Sequence, residues 1–137
     1  MENNLSRNKE QELIMISIYD ALIYITSDME FSLEKIVSSV YECSYSDVPL
    51  FSKEVIIKSL SNYNTIVPIY QDKMPKWKFD RINNISKAIL LMAYAQNKLI
   101  KDKTDKSVII DVSVRLAKKY LEDKDYKFIN AILDNVL

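Results

Sequence analysis

Among 137 residues there is no glycine, and there are only three prolines, Pro49, Pro68 and Pro75. Hairpin turns, bulges and phosphate-cradling loops rely on glycine wherever the backbone needs positive φ. A chain without it is poorly suited to β architecture, to a P-loop or to a dinucleotide-binding fold. Hydrophobic residues make up 48% and charged residues 28%, which describes a globular chain. The length suffices for one domain with a core and is too short for two. We therefore expect a single all-α domain over residues 1–137.

The hydrophobic pattern supports that expectation. Met15, Ile18, Leu22 and Ile25 recur at helical spacing from about Ser6 to Thr26, with Ile14 and Ala21 widening the stripe. A shorter helix is expected after Ser32, a suitable N-cap, through Leu33, Ile36, Val37 and Val40. Cys43 to Pro49 reads as a connection, with Ser46 or Asp47 capping the next helix, which carries Phe51, Val55, Ile56 and Leu60 on one face. Pro68 interrupts the apolar run Ile66 to Tyr70 and should open a helical turn or break the chain there. From Asn84 to about Leu99 the pattern is apolar nearly all round, as expected of a central helix buried on several sides. Thr104 or Asp105 then caps a helix reaching Tyr120, and a last helix from about Asp123 aligns Phe128, Ile129, Ile132, Leu133 and Val136. Six or seven helices around one core result, without repeats at solenoid period.

Little catalytic chemistry is available to such a chain. Histidine is absent, and Cys43 is the single cysteine, so the commonest general base, an intrachain disulfide and a cysteine-rich zinc site are all missing. Asp80 and Asp134 read as cap and surface ion-pair residues, and neither a catalytic residue nor a metal or other cofactor is expected. The polar start, MENNLSRNKEQE, lacks an apolar targeting segment, and no stretch approaches membrane-spanning length. A cytoplasmic protein with no membrane partner is the expectation. Charge is balanced overall but unevenly placed. Residues 1–50 hold three basic and nine acidic side chains, a net of −6, and residues 51–137 hold sixteen and ten, a net of +6. Such asymmetry fits a polyanion or a charged protein as partner, and equally fits scatter over a solvated surface.

Two blocks carry more specific information. Trp77, Phe79, Asp80, Arg81, Ile82 and Ile85, followed by Lys87, Ala88, Ile89, Leu90 and Ala93, follow the pattern W-x-L-D-R-I-x-x-V-D-R-A-I-L-R-L-A. Near the C-terminus Val108, Ile110, Val114, Leu116, Ala117, Lys118 and Tyr120, then Lys127, Phe128, Ile129, Asn130, Ile132, Leu133 and Asp134, follow V-x-I-N-E-A-V-x-L-A-K-x-F and K-F-V-N-G-V-L-D. In this order and spacing the chain resembles the NusB family of bacterial transcription antitermination factors, as a divergent member. The departures are also specific. Leu91 replaces an arginine, Ala95-Gln96 a tyrosine-glutamate pair, Asp111-Val112 an asparagine-glutamate pair and Ala131 a glycine. The N-terminal basic cluster is thinned to Arg7 and Lys9.

The resemblance implies a NusB-like bundle, with an N-terminal three-helix part packed on a C-terminal bundle. It also implies binding of boxA-type single-stranded RNA together with a NusE-type ribosomal protein, within an RNA polymerase antitermination complex and without catalysis. Such binding needs cations for phosphates and exposed planar groups for unstacked bases. Arg7, Lys9, Lys118, Lys124, Lys127 and Phe128 are the candidate RNA-binding residues, with Tyr126 as a second stacking platform. Trp77 and Arg81 are expected to form a structural pair, the indole covering the arginine stem. For the protein partner we expect an exposed edge of the central helix from Lys87 through Leu91 to Tyr94, because an apolar residue stands where the family has arginine. The thinned arginines leave an alternative open, a NusB-fold protein–protein interaction module that has lost RNA binding.

Overall fold

The computed structural model describes residues 5–137, and among them there are seven α-helices and no strand. Helix α1 (Arg7–Thr26) begins where the Ser6 hydroxyl accepts the Lys9 amide N–H at 3.1 Å. Such a cap satisfies one of the backbone donors left orphaned at a helix start. Helix α2 (Leu33–Tyr41) is capped in the same way by Ser32, at 3.3 Å from the Lys35 amide. Helices α3 (Leu50–Ser61) and α4 (Tyr63–Asp72) follow, then α5 (Asn84–Tyr94), α6 (Lys106–Tyr120) and α7 (Asp123–Val136).

Where a glycine would ordinarily end a helix, this chain uses other residues. Asp28 (φ 52°) and Glu42 (φ 54°) take left-handed backbone after α1 and α2. Their turns close with Met29 N–H on the Tyr24 carbonyl and Cys43 N–H on the Ser38 carbonyl. The left-handed conformation costs an L-residue roughly 1–2 kcal/mol, less for Asp than for Glu, and the helix-closing hydrogen bonds offset it.

Two local expectations need correction. Ser46 and Asp47 do not cap α3: Tyr45–Asp47 forms a 3₁₀ turn, and Pro49 stands at the cap position with φ −56°. A proline ring sets that φ in advance, and no side chain caps the first amides of α3. Pro68 neither opens nor breaks a helix, because α4 runs straight through it. The N–H that it lacks would have met the carbonyl of Asn64, which is exposed and can turn to solvent instead.

The core gathers around α5. Eight consecutive residues, Ser86 to Ala93, are buried, and α1, α3, α4, α6 and α7 all pack against this helix. Tyr70 of α4 is fully buried, donates its hydroxyl to the Leu90 carbonyl at 2.6 Å and stacks on Phe79 with centroids 6.2 Å apart. Burial pushes its phenol well above the usual range. The α5 backbone then widens into a π turn, Ala95–Leu99. Buried Gln96 in that turn accepts the Gln11 side-chain N–H of α1 at 2.8 Å. No helix among the described residues is long and apolar enough to cross a membrane.

A polar latch ties the start of α1 to the end of α6. Largely buried Glu12 accepts both the Lys119 ammonium and the Tyr120 hydroxyl at 2.5 Å, with the Lys9 ammonium at 3.5 Å. The hydrogen bonds from Lys119 and Tyr120 outweigh desolvation and hold the Glu12 carboxyl down at about 2, from 4.5.

Two stability outcomes follow from this packing. Leu90→Asp should prevent folding, since an unpaired carboxylate within the fully buried face of α5 costs several kcal/mol against a total of roughly 5–15 kcal/mol. A wild-type melt for that variant would remove Leu90 from the core. The latch should make stability acid-sensitive. Because Glu12 titrates lower folded than unfolded, its contribution is complete above pH 4.5 and is lost as pH falls towards 2. Melting temperatures across that window should therefore fall more steeply for wild type than for Glu12→Gln. Parallel curves would show that the latch contributes nothing.

Candidate nucleic-acid interface

Helix α7 separates two basic grooves. On one side Lys124 and Phe128, one turn apart, face the connection between α4 and α5. There they meet Lys76, Trp77, Lys78 and Arg81, with Asn83 and Ser86 at the start of α5, around an open groove of about 670 Å³. Four cations and two aromatic rings line it against a single carboxylate, Asp125. On the other side Lys118 and Lys127 join Arg115, Tyr126 and Asn130 along a second groove of about 600 Å³ between α6 and α7, where Asp111 is the one acidic lining residue. The Lys118 ammonium lies 4.8 Å over the Tyr126 ring, a cation–π contact that occupies one face of that platform.

The helical period explains this division. Positions 124 and 128 fall on one face of α7, while 126, 127 and 130 fall on the flank toward α6. Ile129, Ile132 and Leu133 point inward and anchor the helix. Phe128 is only partly buried, packing on the core edge while bordering the groove. Lys124 pairs loosely with Glu122 at 3.9 Å, both side chains about 80% exposed, so water and salt compete readily for that contact.

The N-terminal cations are held differently. The Arg7 guanidinium stacks 3.5 Å above the Phe51 ring of α3. Lys9 and Lys119 share Glu12, and Lys119 adjoins Lys118, so the latch brings the start of α1 next to the basic end of α6. The six candidate residues are thus distributed over the first groove (Lys124, Phe128), the second groove (Lys118, Lys127) and the start of α1 (Arg7, Lys9).

Sequence reasoning missed several basic residues that the fold places beside these. Lys76 and Lys78 flank Trp77, and this basic–aromatic–basic triplet was visible in the chain. The pairing of Arg81 with Trp77 was expected to be structural, the indole covering the arginine stem. Trp77 is 63% exposed, and both residues line the first groove. Arg115 offered no local signal, because only the packing of α6 on α7 brings it to Lys127.

The exposed edge expected on α5 does not exist. Leu91 has no exposed surface, and Ser59 of α3 donates its hydroxyl to the Leu91 carbonyl at 3.3 Å. Lys87 is 4% exposed, its ammonium donating to the Asp80 carbonyl at 2.9 Å. Tyr94 packs edge-on against Tyr70, with centroids 6.3 Å apart. The physical reason is plain: leucine in place of the family's arginine completes the apolar circumference of α5, so helix α3 covers it. That reasoning for a partner surface at Lys87, Leu91 and Tyr94 therefore fails.

Comparison with known proteins accounts for this architecture. The NusB family profile matches residues 8–137. The chain is 34% identical over 99 residues to the transcription antitermination protein NusB of Finegoldia magna, covering 69% of this chain and 72% of that one. It is 34% identical over 87 residues to the Treponema denticola protein of the same name, an alignment spanning 64% of this chain and 63% of the relative. Against the Clostridium botulinum NusB, identity is 28% over 138 residues, or 100% of this chain and 98% of the relative. Among solved structures, T. maritima NusB superposes with a TM-score of 0.80 at 19% identity, covering 99% of this chain and 92% of that chain. A chain in the crystal structure of a plectonemic RNA supercoil gives 0.77 at 17% identity, covering 96% and 94%. With the profile matched over nearly the whole chain, both grooves included, and an all-helical fold in common, the chain belongs to the NusB family of transcription antitermination proteins.

Proposed function

We propose that this cytoplasmic protein binds boxA-type single-stranded RNA together with a NusE-type ribosomal protein, as part of an RNA polymerase antitermination complex, and performs no catalysis. The observation that carries this reading is the first groove. Lys76, Lys78, Arg81 and Lys124 surround the exposed indole of Trp77 and the edge of Phe128. Unpaired bases stack on such rings, and the cations meet the phosphates between them. The second groove, with Lys118, Lys127 and Arg115, extends the positive surface along α7. Arg7 is held on the Phe51 ring, and Lys9 contributes less charge because it shares the Glu12 carboxylate. The protein on its own should accordingly bind weakly, with the ribosomal partner supplying much of the charge.

A second reading keeps the fold as a protein–protein interaction module without RNA. What favours it is that Glu12 offsets one of the two charges of Lys9 and Lys119 and ties up both ammonium groups, together with the thinned N-terminal arginines. The two readings part on direct titration.

As the only tryptophan, Trp77 reports on the first groove without labelling. Titration with a boxA-like RNA should quench its fluorescence, and affinity should fall with salt at about −0.7 in log–log slope per phosphate neutralised. Lys124→Glu/Lys127→Glu should abolish binding while leaving the melting temperature in place, because exposed charges contribute little to stability. Absence of binding at low salt, even with the ribosomal partner present, would leave the interaction-module reading standing.

A further inference from the structure

At the far end of α1 from the basic residues lies a surface of the opposite character. The helix carries Arg7 and Thr26 roughly 28 Å apart at 1.5 Å per residue. Its buried stripe ends at Leu22, and the next three residues, Ile23, Tyr24 and Ile25, are 43%, 36% and 36% exposed. Met29 at 58% and Phe31 at 38% follow in the connection to α2. Three consecutive exposed apolar residues are unusual in a monomer unless they have a use. These five also make up half of the ten large hydrophobic residues exposed among the described residues. Tyr24 and Phe31 are stacked, centroids 5.6 Å apart and planes 26° from parallel, so part of the patch is held in one arrangement beforehand. The Met29 N–H bond to the Tyr24 carbonyl and the left-handed Asp28 fold the connection back over the helix end.

The electrostatic frame of this patch selects among occupants. Asp20, Asp28, Glu30 and Glu34 lie in or beside the patch along the sequence, and against these four carboxylates stands one nearby basic residue, Lys35, exposed at the start of α2. Asp28, Glu30 and Glu34 are exposed, and the C-terminal end of α1 adds the negative pole of its dipole. Phosphate backbones and anionic lipid surfaces are repelled by such a frame. A twofold pairing with a second copy would set the same carboxylates against one another, which is costly. We propose that the α1–α2 corner is a docking surface for a basic protein segment, one that presents apolar side chains ringed by lysine or arginine. This surface is separate from the grooves beside α7 and does not depend on RNA binding there.

The test uses the full chain, labelled with nitrogen-15, and two synthetic probes. One is an amphipathic helical peptide with leucine at i, i+3, i+4 and i+7 and lysine elsewhere; the other replaces each lysine by glutamate. The lysine peptide should shift the amide signals of residues 23–34, and the glutamate peptide should not. Met29→Ser/Phe31→Ser and, separately, Asp28→Asn/Glu30→Gln/Glu34→Gln should each weaken the lysine peptide by about tenfold. The second variant alters no apolar contact, so it remains informative if the first is less stable. Shifts confined to other helices, no shifts, equal binding of both peptides, or unchanged affinity in the charge-neutralised variant would overturn the proposal. So would concentration-dependent self-association that the serine variant abolishes, since the patch would then serve a second copy.

Discussion

Every helix but α2 packs on α5, which presents apolar side chains on all sides and is buried from Ser86 to Ala93. A helix with no polar face has no stable solvent-facing orientation, so its neighbours must surround it. The two grooves exist because of that demand. Helices α6 and α7 pack together on α5, leaving a trough between them, while the chain arriving from α4 crosses the start of α5 and leaves another. Tyr70 fastens this crossing through its hydrogen bond to Leu90 and its stack on Phe79, two residues from the exposed Trp77. A buried, hydrogen-bonded ring thus anchors the segment that carries the exposed indole into the first groove.

The helices were legible because each has its own hydrophobic period, and Ser32 caps α2 as its position suggests. What resisted reading was local chemistry that depends on tertiary context. Pro68 is tolerated because its orphaned acceptor faces outward, and no local pattern reports that. Leu91 was misassigned for a related reason. An apolar residue replacing an arginine leaves the choice between an exposed patch and an enlarged core open, and only the position of α3 decides it. Charged residues were harder still. The chain shows where cations occur, but not that Glu12 would bind Lys9 and Lys119 at once, or that Arg7 would lie on Phe51. The sequence groups Lys118, Lys124, Lys127 and Phe128 as candidate RNA contacts, yet α7 divides them between two grooves.

Absence of glycine, which excluded so much at the outset, also shapes the helix ends. Left-handed closures fall to Asp28 and Glu42, both carboxylates, so each adds a negative charge at a helix C-terminus where the dipole is already negative. That arrangement is locally unfavourable, and lysine at the same positions would relieve it. In α1 the result is a helix whose start mixes Arg7 and Lys9 with Glu10 and whose end is followed by Asp28, with no basic residue in its last turn.

A carboxylate beyond a helix C-terminus costs stability unless something else uses the charge. At the start, Glu12 takes up Lys9 and Lys119 and joins α1 to α6, so the helix end is held by the fold itself. At the other end no described cation pairs with Asp28 or Glu30, and the apolar side chains beside them are open. Charge and exposed hydrophobic surface in one place both weaken an isolated monomer, and both are relieved when a cationic apolar surface covers them. The same 20-residue helix is thus tied into the fold at its start and left with open apolar side chains beside exposed carboxylates at its end.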